Sequence, residues 1–89
     1  MPAHDLIEIA PDTWSNGHLR FDPAGGAPGR PAWDIRLAAT GRATAPVGHL
    51  RWNSVWREYV LLTRPGYIFA HDCLDDISQL LRRLTERAL

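Results

Sequence analysis

The sequence predicts an α+β domain in which a small antiparallel β-sheet of four to five strands packs against one C-terminal amphipathic α-helix. Up to residue 63, short apolar runs are separated by turn-forming residues, a pattern typical of strands joined by hairpins. From residue 72 onward, apolar residues instead recur at spacings of three and four, as on the buried face of a helix. The 89 residues predict a single domain, since a chain of this length can build only one small core.

The strands are predicted from apolar residues that alternate with polar ones or lie between turn signals. The clearest alternation places Trp33, Ile35 and Leu37 on one face of a half-buried strand. Pro11 ends the first candidate, and a turn at residues 15–17 joins it to the second, so the two would form an N-terminal hairpin. The candidate strands are residues 4–10, 18–22, 32–39, 47–52 and 56–63.

The segment between the second and third candidate strands is predicted to be a loop. Residues 23–31 contain three prolines and three glycines. Neither residue type supports a strand interior, because proline lacks the N–H donor and glycine weakens the ladder. The glycines beside Arg30 do not make a phosphate-binding loop, which needs a lysine and a hydroxyl residue before a helix, whereas Pro31 follows here. We therefore expect a mobile Pro/Gly-rich loop at residues 23–31.

The C-terminal segment is predicted to be an amphipathic helix that starts at Asp72. Asp72 is a suitable N-cap, Asp75 and Asp76 follow in the first turn, and arginines lie near the end, so the charges complement the helix dipole. Leu80 widens an apolar stripe that would face the sheet. The stripe consists of Leu74, Ile77, Leu81, Leu84 and Ala88.

The turn between the last two strands decides where two tryptophans point. A two-residue turn at Asn53 and Ser54 would pair Trp52 with Val55, whereas a three-residue turn would pair Trp52 with Trp56. Asn-Ser is a poor sequence for the tight two-residue turn, and the longer turn separates apolar from polar side chains better. We therefore expect Trp52 and Trp56 to cover the helix stripe as core residues.

The three-residue turn places four side chains on the hairpin face that points away from the helix. On this face Arg51 would lie directly opposite Arg57, a like-charge pair that calls for an anionic neighbour. That neighbour is either a carboxylate of this chain, such as Asp34, Glu58 or Asp76, or an anionic partner. The candidate partner-binding residues are His49, Arg51, Arg57 and Tyr59.

Composition limits the function classes and the compartment. Ten acidic residues balance ten basic ones, all of them arginine, which argues against a broad positive surface for nucleic acid. Cys73 is the only cysteine, so no disulfide can form within the chain and a reducing compartment is expected. The N-terminal residues lack a signal-peptide pattern, and no apolar run of about 18 residues offers a membrane span. These features predict a soluble cytoplasmic protein.

Neither a metal site nor a catalytic site is predicted, and no cofactor is expected. Zinc ligands usually come in closely spaced pairs, whereas His4, His18 and His49 are scattered along the chain. Cys73 could act as a nucleophile with His71 as its base, but side chains two apart at a helix start do not face each other. A buried, inert cysteine is the better interpretation, and we expect a non-enzymatic protein.

The second half of the chain contains a motif that resembles a family of small bacteriophage and prophage proteins. The motif is a strand pair with tryptophan, Trp-Arg-x-Tyr, an apolar strand and a proline, then Phe, Cys-Leu-x-Asp-Ile and an amphipathic helix. Its residues here are Trp52, Trp56, Arg57, Tyr59, Pro65, Phe69, Cys73, Leu74, Asp76 and Ile77. The resemblance covers residues 49–84, under half of the chain. It implies a sheet packed against one C-terminal helix and a phage-related origin.

The leading hypothesis is a phage-related binding protein that inhibits or modulates a host protein or ribonucleoprotein complex. Small phage proteins without enzymatic motifs often act in this way, and an anti-CRISPR inhibitor is one instance of the class. The alternative is a small nucleic-acid-binding module in which the arginines of the polar hairpin face contact phosphate and Tyr59 stacks on a base. A third hypothesis is a homo-oligomer formed through the helix stripe or a free strand edge.

Overall fold

A computed structural model describes residues 6–40 and 44–89 of the chain. The described residues form six antiparallel strands, arranged in chain order across one sheet, and a single C-terminal helix. The elements are β1 (Ile7–Ala10), β2 (Thr13–Ser15), β3 (Leu19–Ala27), β4 (Arg30–Leu37), β5 (Gly48–Asn53), β6 (Glu58–Thr63) and α1 (His71–Ala88). The predicted α+β class is confirmed, with six strands rather than four to five.

The core lies between one face of the sheet and the helix. The predicted alternation of β4 sends Trp33 and Ile35 into this core, whereas Leu37, at the end of the strand, is exposed. Leu81 of the predicted helix stripe is half-buried and Leu74 is exposed, because the buried stripe is centred on Leu80. The buried core residues are Leu19, Phe21, Trp33, Ile35, Val47, Leu50, Tyr59, Ile77, Leu80 and Leu84.

The N-terminal part of the sheet contains a strand that the sequence did not predict. The turn around Asn16 joins β3 to the short strand β2, not to the first candidate strand. With three residues, β2 is too short for a periodic pattern. The Asn16 side-chain oxygen accepts hydrogen bonds from the N–H groups of His18 and Leu19, and its amide donates to Asp76 of α1. Residues 4 and 5 of the first candidate strand and residues 41–43 of the chain lie outside the described residues.

The prediction of a loop at residues 23–31 is wrong, because β3 and β4 both extend into this segment. The ladder shifts register between Pro23 and Gly26, as in a β-bulge, where extra residues on one strand leave the regular pairing. Only Pro28 and Gly29 remain in the turn. Proline fixes its own φ and Gly29 adopts a φ of +76°, so these two residues reverse the chain. The proline- and glycine-rich residues 23–31 therefore form a bulged β-hairpin.

The helix begins one residue before the predicted start. Ala70 occupies the N-cap position, where no side-chain cap hydrogen bond forms. Asp72 lies in the first turn, and its carboxylate accepts a hydrogen bond from the N–H group of Cys73 at 3.0 Å. The assignment of Asp72 as the N-cap is therefore wrong by two positions, although its charge still complements the helix dipole.

The turn between β5 and β6 is longer than either predicted alternative. It comprises residues 54–57 and pairs Trp52 with Tyr59 across the ladder. In this register Tyr59 enters the core at 4% exposure, while Trp56 stays in the turn at 68% exposure. The prediction that Trp56 covers the helix is therefore wrong, whereas Trp52 does pack, half-buried, against the core.

Candidate contact surface at the tip of the last hairpin

The four predicted partner-binding residues do not share a face of the β5–β6 hairpin. His49 and Arg51 lie on the outer face, away from the helix, whereas Tyr59 points to the opposite face and is buried. Arg57 lies in the turn, and Arg51 faces Val60 across the ladder, so the predicted Arg51–Arg57 pair does not form. The four-residue turn causes this difference, because it changes the register on which the shared face depended.

The outer face of the sheet carries a network of opposite charges. The ring nitrogen Nδ1 of His49 lies 2.8 Å from Oδ1 of Asp34, and Arg36 lies 3.6 Å from the same carboxylate. Arg20 donates through Nε to Asp22 at 2.8 Å, and Arg36 lies 3.9 Å from Asp22. These side chains bind one another across three neighbouring strands, which favours a structural role for His49 over contact with a partner.

Two large apolar side chains are exposed at the end of the β5–β6 hairpin. We call residues 54–57 the hairpin tip; within it Val55 is 84% exposed and Trp56 is 68% exposed. Asn53 fixes the tip with two hydrogen bonds. Its side-chain oxygen accepts the N–H of Trp56 at 2.8 Å, and its carbonyl accepts the N–H of Arg57 at 2.7 Å. The two apolar side chains are therefore presented from a defined backbone conformation.

The backbone of the hairpin tip is strained at one residue. Arg57 has a φ of +57°, in the left-handed region that costs a non-glycine residue roughly 1 to 2 kcal/mol. Glycine would adopt this conformation without that cost, yet the chain has an arginine here. Strained backbone positions concentrate at functional sites, where a particular side chain is retained at the expense of stability.

Aromatic contacts join the strands that lead into the hairpin tip to the rest of the sheet. Tyr59 contacts Trp52 and Trp33 edge to face, with ring centroids 5.5 Å and 5.9 Å from its own. Arg30 of β4 lies over the Trp52 ring, 4.3 Å from its centroid. The Tyr59 hydroxyl donates to the carbonyl of Pro31 at 2.8 Å, which ties β6 to β4 across β5. Thus the strands that carry the tip are held to the body of the sheet.

A cleft of about 540 Å³ lies at the other end of the sheet, next to the start of α1. Apolar residues such as Leu37, Val47 and Phe69 line much of it, and Cys73 borders it. Burial, followed by the negative charge of Asp72, raises the pKa of the Cys73 thiol, which therefore stays protonated at neutral pH. The cysteine is half-buried, whereas the sequence predicted a buried one. Among the described residues, no group of three or more side chains could hold a metal ion.

Sequence analysis missed Val55 and Trp56 as candidate contact residues. Both are strand-forming types, and the predicted strand begins at Trp56, where the structure still has a turn. The available signal was Asn53, because an asparagine side chain commonly bonds the backbone two or three residues later and so starts a turn. The sequence locates the turn at Asn53 but not its length, and only the observed four-residue turn leaves Trp56 outside the ladder.

Comparison of the chain with protein-family models, curated proteins and solved structures gave no match. Within residues 6–40 and 44–89, no helix combines the length and apolar character that a membrane span requires. The resemblance to phage proteins stays a prediction. The hairpin tip is the feature from which a function can be inferred.

Proposed function

We propose that the protein is a non-enzymatic binding protein that inhibits or modulates a host protein or ribonucleoprotein complex, and that the hairpin tip is its contact. The exposure of Trp56 at an ordered turn carries this proposal. The resemblance to small phage proteins directs it toward host machinery. The contact set therefore changes from the four predicted residues to Val55, Trp56, Arg51 and Arg57.

Two side chains of the tip, Trp56 and Arg57, are of the types that contribute most to protein interfaces. Tryptophan and arginine are enriched among residues whose truncation weakens binding by 2 kcal/mol or more, typically as anchors that fill a pocket on the partner. An exposed tryptophan on an ordered hairpin loses little backbone entropy when it binds. Arg51 and Arg57 add positive charge near the anchor, so the matching partner surface is an apolar pocket with an acidic rim.

A protein partner is favoured over nucleic acid by the neighbours of Trp56. Val55 is more exposed than Trp56 and, as an aliphatic side chain, offers no ring on which a base could stack. Glu58 follows Arg57 and is exposed, which reduces the positive charge near the tip. The chain as a whole has a formal net charge of zero, so no general attraction to phosphate supports nucleic-acid binding.

The test is a pulldown from a host lysate with tagged protein, with and without nuclease, followed by binding measurements on the purified captured protein. Wild-type protein is compared with Trp56→Ala and with Ile68→Ala, a matched control because Ile68 is exposed and lies by the cleft at the opposite end of the sheet. We expect Trp56→Ala to weaken the purified pair by about 30-fold or more, as loss of an anchor does. Ile68→Ala should bind like the wild type.

Two outcomes would contradict the proposal. Equal loss of binding in both variants, or none in Trp56→Ala, would remove the tip as the contact. The nucleic-acid alternative would be favoured if nuclease abolished capture of the partner. It would also require an affinity for oligonucleotides that falls steeply between low and moderate salt. A packed protein interface should change little over the same salt range.

A further inference from the structure

The last strand of the sheet, β6, exposes one backbone edge, and two hydrogen bonds determine which residues point outward. The N–H of Arg64 donates inward to the carbonyl of Val47 at 3.0 Å, whereas the N–H of Tyr59 donates away from β5, to Oγ1 of Thr85 at 2.9 Å. Antiparallel residues alternate between these two orientations. The backbone groups of Tyr59, Leu61 and Thr63 therefore point away from the sheet.

Only the middle of this edge is available to another strand. At one end, Thr85 of α1 already accepts the N–H of Tyr59. At the other end, Pro65 has no N–H to donate. Leu61 and Thr63 thus remain as the two residues whose N–H and carbonyl groups can both pair with an added strand.

The opposite edge of the sheet, β1, is protected. It has four residues, and its register with β2 shifts between Glu8 and Ala10. The carboxylate of Glu8 also accepts the N–H of Asp12 at 2.8 Å. A short edge, an irregular register and a charged side chain are the devices by which proteins prevent strands from adding to a sheet. The free edge of β6 contrasts with this protection.

We propose that β6 pairs antiparallel with β6 of a second copy of this chain, with the two-fold axis passing through Leu62. In this register Leu61 of each copy lies opposite Thr63 of the other, so both available residues exchange hydrogen bonds with their counterparts. A register centred on Leu61 would require the N–H of Tyr59, which is taken, and one centred on Thr63 would require the N–H that Pro65 lacks. The backbone alone therefore selects this register.

The side chains beside the edge match the same register. Leu62 lies on the outer face, away from α1, and is 47% exposed, so the two copies would cover each other's leucine at the axis. Glu58 lies on the same outer face four residues before Leu62, and Arg64, whose N–H continues the ladder to Val47, follows two residues after Leu62. Antiparallel pairing brings Glu58 of one copy diagonally next to Arg64 of the other, twice per dimer. This charge complementarity identifies a second copy as the occupant.

The dimer would present two hairpin tips at opposite ends of one continuous sheet. Each tip is about six residues from the axis, so the two Trp56 side chains would lie roughly 40 Å apart at ~3.3 Å per residue. Two linked contacts increase apparent affinity for a partner with repeated sites. The pairing itself does not depend on the proposed function, because β6 backbone groups and not tip residues form it.

The test is sedimentation velocity of wild-type protein and charge variants over a wide concentration range. We expect the wild type to show a concentration-dependent mass of two chains. Glu58→Arg alone and Arg64→Glu alone should each weaken self-association by about tenfold, because two diagonal attractions become repulsions. The double variant Glu58→Arg with Arg64→Glu restores opposite charges and should recover dimerisation. Glu86→Arg, an exposed change on α1, is the charge-matched control.

A second variant tests the axis. Leu62→Lys places two positive charges face to face and should give a folded monomer, whereas Leu37→Lys, at a leucine of nearly equal exposure (45%), should dimerise like the wild type. A wild type that stays monomeric at every concentration would overturn the proposal. So would single and double charge variants that weaken association equally. Trp56→Ala should leave dimerisation unchanged, which separates this result from the test of the hairpin tip.

Discussion

The β3–β4 and β5–β6 hairpins end at the same edge of the molecule but reverse the chain by different means. The first uses backbone freedom: Gly26 and Gly29 adopt φ values of +95° and +76°. The second uses side-chain chemistry, because Asn53 holds the turn and Arg57 takes the left-handed conformation. Glycines in the first hairpin serve the fold, whereas the second keeps an arginine where glycine would be more stable. The comparison indicates that the β5–β6 turn is the one adapted for contact.

Apart from truncation of a core residue, the largest effect on stability is expected at Gly26. A Cβ there would lie 2.6 Å from the carbonyl oxygen of Arg30 and 2.7 Å from the nitrogen of Ala32, and the φ of +95° is strained for alanine. We expect Gly26→Ala to destabilise the domain by about 2 to 4 kcal/mol, measured by denaturant unfolding. Gly25→Ala is the control, since its φ is +85° but no atom lies within 4 Å of its Cβ.

Equal effects of the two alanine substitutions would show that backbone strain alone matters in the first hairpin. A loss of about 1 kcal/mol in Gly25→Ala, with a clearly larger loss in Gly26→Ala, would confirm that close approach of β4 is the additional cost. This result would identify the bulge as part of the packed sheet, not a mobile loop.

The next largest effect on stability is expected at the hydrogen bond from Tyr59 to Pro31, which joins the two hairpins. Tyr59→Phe removes the hydroxyl that donates to Pro31, and we expect a loss of about 1 kcal/mol in the free energy of unfolding. Burial raises the pKa of Tyr59, against smaller opposing effects of Arg30 and Arg87. The stability linked to the neutral hydroxyl is therefore full below the unfolded pKa and is lost as pH rises through the higher folded pKa.

Unfolding measured from neutral to alkaline pH checks the Tyr59 prediction. The wild type should lose part of its stability above the ordinary tyrosine range, and Tyr59→Phe should lack that part. Tyr67→Phe, at a tyrosine that is 48% exposed, is the control and should behave as the wild type does. An identical alkaline loss in Tyr59→Phe would contradict the assignment.

The comparison also separates what the sequence could predict from what it could not. The period of two in β4 and the spacing of three and four in α1 predicted the fold class, because each pattern reports a buried face. Turn length depends on a few local hydrogen bonds, and the strand-forming character of Val55 and Trp56 concealed the length of the turn that follows Asn53. The partner of Trp52 moved from Trp56 to Tyr59, a shift of three residues, and this odd shift exchanged the two faces of β6 and with them the predicted site.

A smaller effect of opposite sign is expected at Arg57. Arg57→Gly removes the left-handed strain but increases the entropy of the unfolded chain, so we expect a net stabilisation of up to about 1 kcal/mol. Thermal unfolding gives the sign, and binding to the captured partner should weaken in the same variant. Arg82→Gly, at an exposed helix residue, should instead destabilise the domain by roughly 1 kcal/mol. A destabilised Arg57→Gly would show that the arginine side chain supports the turn.

The smallest effect on stability is expected at Trp56, although it is among the largest side chains of the domain. Its ring is 68% exposed, so Trp56→Ala removes little buried area and should change the free energy of unfolding by no more than about 0.5 kcal/mol. Trp33→Ala is the matched control: Trp33 is 1% exposed, and its truncation should cost about 3 to 5 kcal/mol. Denaturant unfolding of both variants measures the difference directly. A Trp56→Ala protein that unfolds as easily as Trp33→Ala would mean that the tip packs on the body of the domain, and the side chain could then no longer serve as a free anchor for a partner.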